Sequence, residues 1–215
     1  MEFKDRIKYN KADNEYYKVH DKTGRYIRDI KIEDEKNLED EYLYGVTCFV
    51  INEKNQVLME ERANTELSPG KIDLVSGHVN GNESGFEAIL RELREEVGIY
   101  NVDYNQIGKL SVLSKPLGFE SKGKIRNFLI DFYCVFIEQK QVTKIQQEEV
   151  KSYEWVPMDI AISKIVNGLT KFPKQEKGKV DYKQVIKRLE EKCLKRNVQK
   201  NQQNLQEKKV MEKWL

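Results

Sequence analysis

The chain is poor in the residues that cross-link small folds or bind soft metals: it has three cysteines, Cys48, Cys134 and Cys193, and two histidines, His20 and His78. Three cysteines cannot all pair within one chain, and no two of them have zinc-ligand spacing. Cys48 and Cys134 also lie inside apolar, strand-like runs. A disulfide scaffold and a His/Cys metal centre are therefore disfavoured, and the cysteines read as reduced packing residues of a cytoplasmic protein. No apolar run approaches the roughly 20 residues that span a bilayer. The opening Met-Glu-Phe-Lys-Asp-Arg lacks the apolar segment of an export signal, so the expectation is a soluble protein with no membrane partner. Charge of one sign is missing as well. The formal net charge is only +2, too small a field to mark nucleic acid or a membrane as the main partner. The balance is uneven, however: residues 168–215 hold 14 Lys and Arg against 6 Asp and Glu, which leaves the rest of the chain acidic.

What the chain does have is apolar material for one sizeable core. Its 215 residues are 39% hydrophobic and 34% charged, short for two full domains. Three parts are expected: an N-terminal β-hairpin module over 1–40, one domain over 41–170, and a basic C-terminal helical extension over 171–215. In the module, Tyr16 to Val19 and Arg25 to Ile30 flank Asp21-Lys22-Thr23-Gly24, a hairpin signal. Tyr44 to Asn52 then reads as a buried strand, Glu53-Lys54-Asn55 as a turn and Gln56 to Glu61 as the returning strand. Arg62 to Gly77 follows, with a turn at Ser68-Pro69-Gly70 and a short strand over Ile72-Asp73-Leu74-Val75.

Ile107 to Leu113 and Phe128 to Ile137 also read as strands. The looser Ser114–Arg126 stretch between them, with Pro116, Gly118 and Gly123, is placed to close over a substrate. An acidic loop at Glu148 and Glu149 leads into a strand ending at Pro157 and a helix from Met158 to Asn167, with Trp155 as a core or edge aromatic. Val180 to Arg196 is patterned as a helix with the stripe Val185, Ile186, Leu189, Cys193 and Leu194. The Lys-, Gln- and Asn-rich tail beyond it reads as frayed or helical, with an interface for a second subunit or RNA as the sharper alternative.

The most informative stretch runs from Gly77 to Ile99. Ser84 is a good N-cap and Glu87 completes a capping box, so a helix is expected to run to Val97, with Gly98 supplying its C-terminal turn. Phe86, Leu90, Leu93 and Val97 form the expected apolar stripe, to be buried against a sheet. At about 100° per residue, Glu92, Glu95 and Glu96 fall within roughly one third of the circumference, away from that stripe. Carboxylates so close repel one another, and hard oxygens converging on one locus are the ligand type that Mg²⁺ or Mn²⁺ prefers.

The same stretch resembles the Nudix box, G-x5-E-x7-R-E-U-x-E-E-x-G-U with U a bulky aliphatic. Gly77, Glu83, Arg91, Glu92, Leu93, Glu95, Glu96, Gly98 and Ile99 occupy every defined position. The resemblance implies an α/β Nudix fold, an α/β/α sandwich around a mixed β-sheet. It implies Mg²⁺- or Mn²⁺-dependent hydrolysis of a phosphoanhydride bond in a nucleoside diphosphate linked to another moiety. The implied metal ligands are Glu92, Glu95, Glu96, the backbone carbonyl of Ser76, and Glu148 from the later acidic pair. The implied catalytic set is Glu92, Glu95, Glu96, Arg91 and Glu149, with the choice between Glu148 and Glu149 open on spacing alone.

By the same resemblance Arg91 pairs with Glu83 and the glutamate array and so acts through geometry. Gly77, Gly81 and Gly85 are expected to give the loop positive φ and a close approach of phosphate to the backbone. Candidate substrate contacts are Gly77, Arg62 and Pro116, the last because relatives that cleave ADP-ribose often carry a proline at about that distance beyond the box. A homodimer is a further expectation from relatives. The alternatives are an RNA 5′-pyrophosphohydrolase using the basic tail and a non-catalytic nucleotide sensor. An isopentenyl diphosphate isomerase is argued against by the intact box.

Overall fold

A nearly continuous apolar run along Tyr42–Ile51 makes the strand on which the fold is assembled. The structure is a computed structural model. It describes residues 16–31, 40–63, 68–100, 102, 108–109, 117–121, 124–142, 145–172, 174–175 and 182–211, with backbone alone at 108–109, 117–121, 124–126 and 208–211. The described strands are β1 (Tyr16–His20), β2 (Tyr26–Lys31), β3 (Tyr42–Ile51), β4 (Gln56–Arg62), β5 (Ile72–Asp73), β6 (Val75–His78), β7 (Gly108–Lys109), β8 (Leu117–Ser121), β9 (Lys124–Phe136) and β10 (Val150–Pro157). The helices are α1 (Gly85–Val97), α2 (Met158–Val166) and α3 (Lys183–Met211).

All of the strands belong to one mixed sheet. One edge of β3 pairs in parallel with β9 from Leu43↔Phe128 to Ile51↔Phe136. Its other edge is shared in succession by β1 at Tyr42 and Leu43, by β6 from Gly45 to Cys48, and by β4 at Ile51 alone. Along β3, Leu43, Phe49 and Ile51 face one core and Val46, Cys48 and Val50 the other, the two-sided burial expected of a central strand. Helix α1 covers the second core through Ala88, Ile89, Leu93 and Val97. Helices α2 and α3 cover the first through Ala161, Ile165, Val185 and Leu189. The result is the α/β/α sandwich expected from the sequence.

The hairpin of β1 and β2 forms as read, its turn closed by Asp21 Oδ1, which accepts from the backbone N–H of Thr23 (2.8 Å) and of Arg25 (3.1 Å). All three cysteines are free, with Cys48 and Cys134 buried. Helix α1 starts and stops where its caps place it. Ser84 is the N-cap with both arms of the capping box in place, and Gly98 closes the C-terminus at φ 66°.

Five expectations need correction. The buried stripe of α1 is Ala88, Ile89, Leu93 and Val97, with Phe86 and Leu90 only partly buried, because the helix is rotated to turn Glu92 and Glu96 toward the sheet. The strand expected over Ile72–Val75 breaks at Leu74, where the chain leaves β4 for β3. The stretch after Ser114 is not all loop: β8 pairs with β9 from Leu117↔Phe128 to Ser121↔Lys124, since a glycine such as Gly118 weakens a strand without forbidding it. Pro116 lies outside the described residues, as does most of Ile107–Leu113. The tail is helical as far as Met211, one of the two forms expected, but Leu194, expected in the apolar stripe, is 65% exposed because the docked stripe ends with Cys193. Of the loop glycines only Gly81 has positive φ, at 45°.

Candidate active site

Beside the break at Leu74 lies a cleft of about 300 Å³, between the two branches of the sheet and the second half of α1. Ser76, Gly77 and His78 of β6, Gly45, Val46 and Thr47 of β3, Arg91, Glu92 and Glu95 of α1, and Glu149 of the loop before β10 all line it. Tyr17, Phe128 and Ile130 supply apolar wall, and Arg62, Lys171 and Phe172 line it as well. The Tyr17 and His78 rings stack at 4.4 Å between centroids, and His78 lies 5.4 Å from the Phe128 ring.

Arg91 organises the acidic side. It is only 8% exposed at its side chain, and all five of its N–H groups are engaged. Nη1 donates to Glu92 Oε1 (2.6 Å) and Glu95 Oε2 (3.2 Å), and Nη2 to the His78 carbonyl (2.8 Å) and Glu83 Oε1 (2.7 Å). Nε donates to Glu83 Oε2 (3.2 Å), and Glu83 in turn accepts from the Asn80 N–H (2.7 Å), which ties the loop to the helix. Glu96 faces the floor, where its Oε2 accepts from the Ser76 N–H (3.0 Å).

Burial dominates the electrostatics. It pushes Glu92 up to about 8, against the lowering pull of Arg91 and with Glu149 and Glu95 adding repulsion. It holds Glu96 well above the usual carboxylate range, helped by Glu60, Glu92 and Glu149. Gly77 makes room for this array: a Cβ there would stand 1.8 Å from Glu92 Oε1.

Opposite the glutamates, Asp73 is fully buried and gathers two cations. Arg62 Nη1 lies 3.3 Å from Asp73 Oδ2, and Lys171 Nζ pairs with the same oxygen and with Ser76 Oγ. Lys171 reaches the site because its N–H donates to the Ile72 carbonyl (3.0 Å) beside the Ile72↔Thr170 bridge.

Of the residues singled out from the sequence, Ser76, Gly77, Arg91, Glu92, Glu95, Glu149 and Arg62 meet at the cleft, with Glu96 beneath its floor. Glu148 is exposed and outside the lining. Among the described residues, no three carboxylate, imidazole or thiolate side chains are already arranged around a metal-sized point. The expected convergence of Glu92, Glu95 and Glu96 is replaced by a patch in which Arg91 holds the first two. A divalent cation nevertheless fits the donors. Glu96 Oε1 and both oxygens of Glu60 are buried without a hydrogen-bond partner, and hard anionic oxygens so placed suit Mg²⁺ or Mn²⁺.

Sequence reading missed Glu60, Asp73 and Lys171. Glu60 carried a signal, as the one charge in the inward alternation of Val57-Leu58-Met59-Glu60. By sequence Lys171 falls in the basic extension, and its place at the cleft depends on a bridge that no local pattern announces.

The NUDIX domain family profile matches residues 41–176, a span that contains β3 to β10, α1, α2 and Lys171. The chain belongs to the Nudix hydrolase superfamily. Solved structures are similar to this chain. DR0079 from Deinococcus radiodurans is 19% identical at a TM-score of 0.52, with 73% of this chain and 91% of that one covered. The MutT protein of Methanosarcina mazei Go1 is 27% identical at a TM-score of 0.46, with 65% and 87% covered. The NUDIX domain of Shewanella oneidensis NrtR, complexed with ADP ribose, is 19% identical at 0.47, with 71% and 88% covered. Among curated proteins no sequence matches.

Proposed function

We propose that this Nudix pyrophosphohydrolase cleaves the phosphoanhydride bond of a nucleoside diphosphate linked to another moiety, with Mg²⁺ or Mn²⁺ as cofactor. The observation that carries this reading is the pairing of opposite chemistries across one cleft: buried carboxylates on α1 face Arg62 and Lys171 on the Asp73 side. A diphosphate needs both, since its charge is neutralised partly by fixed cations and partly by metal. The Tyr17, His78 and Phe128 rings supply an aromatic wall against which a base can pack.

Glu92, Glu95, Glu96 and the Ser76 carbonyl would hold the cation, which when bound polarises the phosphoryl oxygens and lowers the pKa of an attacking water. Arg62 and Lys171 orient the diphosphate. Arg91 fixes the carboxylates that it bridges. Glu149 accepts the proton from water: it lines the cleft, its charge acts on both Glu92 and Glu96, and its loop is tied to α1 by the bond from the Gln146 N–H to the Glu96 carbonyl (3.0 Å). A carboxylate in such a place suits general-base work.

The basic half of α3 gives no support to RNA as substrate. Arg196 docks on the Asn52 carbonyl and the Phe136 ring, about 17 Å along β3 from Thr47 at the cleft.

The test is product release from ADP-ribose, nucleotide sugars, dinucleoside polyphosphates and nucleoside triphosphates with Mg²⁺ or Mn²⁺, run beside Glu96→Gln. Turnover of one class, lost in the variant, is the expected result. Turnover that survives the substitution or needs no divalent cation would sink the assignment.

A further inference from the structure

Glu60 is a charged residue in a place built for an apolar one. It is 0% exposed at the centre of β4, and neither carboxylate oxygen has a hydrogen-bond partner. Alternation along β4 sends Val57 and Met59 into the core under α2 and α3 and Leu58 into the core under α1, so Glu60 points with Leu58 toward α1. There it meets the box helix from below. Among charged groups it is the strongest influence on Glu96, and it is itself repelled by Asp73 and Glu92. The cations nearest to it are already directed elsewhere, since Arg62 and Lys171 both bond to Asp73.

On the far side of this layer Glu96 is 1% exposed. It gives Oε2 to the Ser76 N–H and leaves Oε1 without a partner. Two carboxylate oxygens on β4 and one on α1 are thus buried without a hydrogen-bond partner, on side chains close enough to repel one another. A buried polar atom without a partner costs free energy, and a buried charge costs more, unless an ion or a donor fills the gap.

We propose that Glu60 is a metal ligand contributed by β4, which joins Glu96 across the layer between strand and helix and holds the same divalent cation from beneath the floor of the cleft. The box helix by itself supplies ligands from one side only; Glu60 supplies the opposing side and fixes the cation against the sheet. The inference rests on the metal-dependent reading above and adds to it a ligand outside the box. The opposing account is a protonated Glu60 that serves only as packing.

Calorimetric titration of the metal-free full chain with Mn²⁺ alone, without substrate, separates the two. Glu60→Gln keeps the shape and removes the charge. If Glu60 is a ligand, this variant binds Mn²⁺ at least about tenfold more weakly, the scale seen when groups supporting a metal site are lost. Combining it with Glu96→Gln then weakens binding less than the two single effects multiplied, because both residues serve one ion. Wild-type affinity in Glu60→Gln, or no Mn²⁺ binding by the wild type, overturns the proposal. Should Glu60→Gln fail to fold by circular dichroism, Glu60→Asp retains the charge but withdraws it by one methylene. Weakened Mn²⁺ binding by that variant supports the ligand and unchanged binding overturns it. Absence of hydrolysis with Mn²⁺ binding still sensitive to Glu60 would refute the enzymatic reading alone. Metal-dependent hydrolysis with Mn²⁺ binding insensitive to Glu60 would refute only the ligand.

Discussion

Gly77 shows how little space the site has to spare. A methyl group there would stand 1.8 Å from Oε1 and 2.1 Å from Cδ of Glu92, so the carboxylate must swing away. The obstructed atoms are the end of a flexible side chain, and the fold can therefore accept the change while the array cannot. We expect Gly77→Ala to lower kcat by about 10²-fold, the usual cost of a displacement near 1 Å, with a thermal midpoint close to wild type. Loss of folding with unchanged specific activity in the residual folded fraction would contradict this.

The glutamates also make a prediction about pH. Burial holds Glu92 and Glu60 up to about 8, and Glu96 well above its ordinary value, whereas an unfolded glutamate titrates near about 4.3. Between those limits the native protein binds more protons than the unfolded chain, so the stability of the metal-free protein falls as pH rises from about 5 to about 8. Urea midpoints in the presence of chelator at pH 5, 6.5 and 8 check the sign. A rise across that range would refute it.

Elements differ in how far the sequence reveals them. Helix α1 was legible to the residue because its signals are local. Ser84 Oγ accepts from the Glu87 N–H at 3.2 Å, Glu87 Oε2 accepts from the Ser84 N–H at 2.7 Å, and the Gly98 N–H donates to the Arg94 carbonyl at 3.1 Å. Ser84→Ala should therefore cost about 1 kcal/mol in chemical denaturation while KM stays near wild type, since Ser84 touches neither the cleft nor Arg91. The rotation of the same helix was not legible. Apolar spacing allowed either Phe86 and Leu90 or Ala88 and Ile89 to face inward, and the choice is made by the carboxylates that must meet Ser76 and Arg91. The short strand before the box was legible as a strand but not as two, because the exchange of partners at Leu74 depends on where β3 and β4 separate. Asp73 and Lys171 were invisible for a related reason: the Glu60↔Asp73 register and the Ile72↔Thr170 bridge are set by the sheet as a whole.

In the molecule as a whole, α3 divides into two functional halves. Its first turns bury Val185 and Leu189 and follow the buried Tyr182, which packs edge-on to Phe132, while Val198 and Leu205 further along are 47% and 57% exposed. A chain ending after Arg196 should keep its thermal midpoint within about 4 °C of wild type, a change of no more than about 1–2 kcal/mol. One ending before Tyr182 loses three buried side chains worth about 1.5–3 kcal/mol each, a large share of the whole stability of a domain, and should fail to give a cooperative melt.

Parallel pairing of β3 with β9 also sets the order in which the enzyme comes into being. The caps of α1 lie within its own sequence, so the signals that start and stop it exist as soon as that stretch has been made. Leu43 meets Phe128 only after all the chain between them has been made and has folded back, a closure that is slow because it is long-range. During synthesis the glutamates are thus present well before any cleft. The contact of Lys171 with Asp73 is among the last parts of the cleft to be synthesised, so the lining cannot be complete until nearly all of the domain exists.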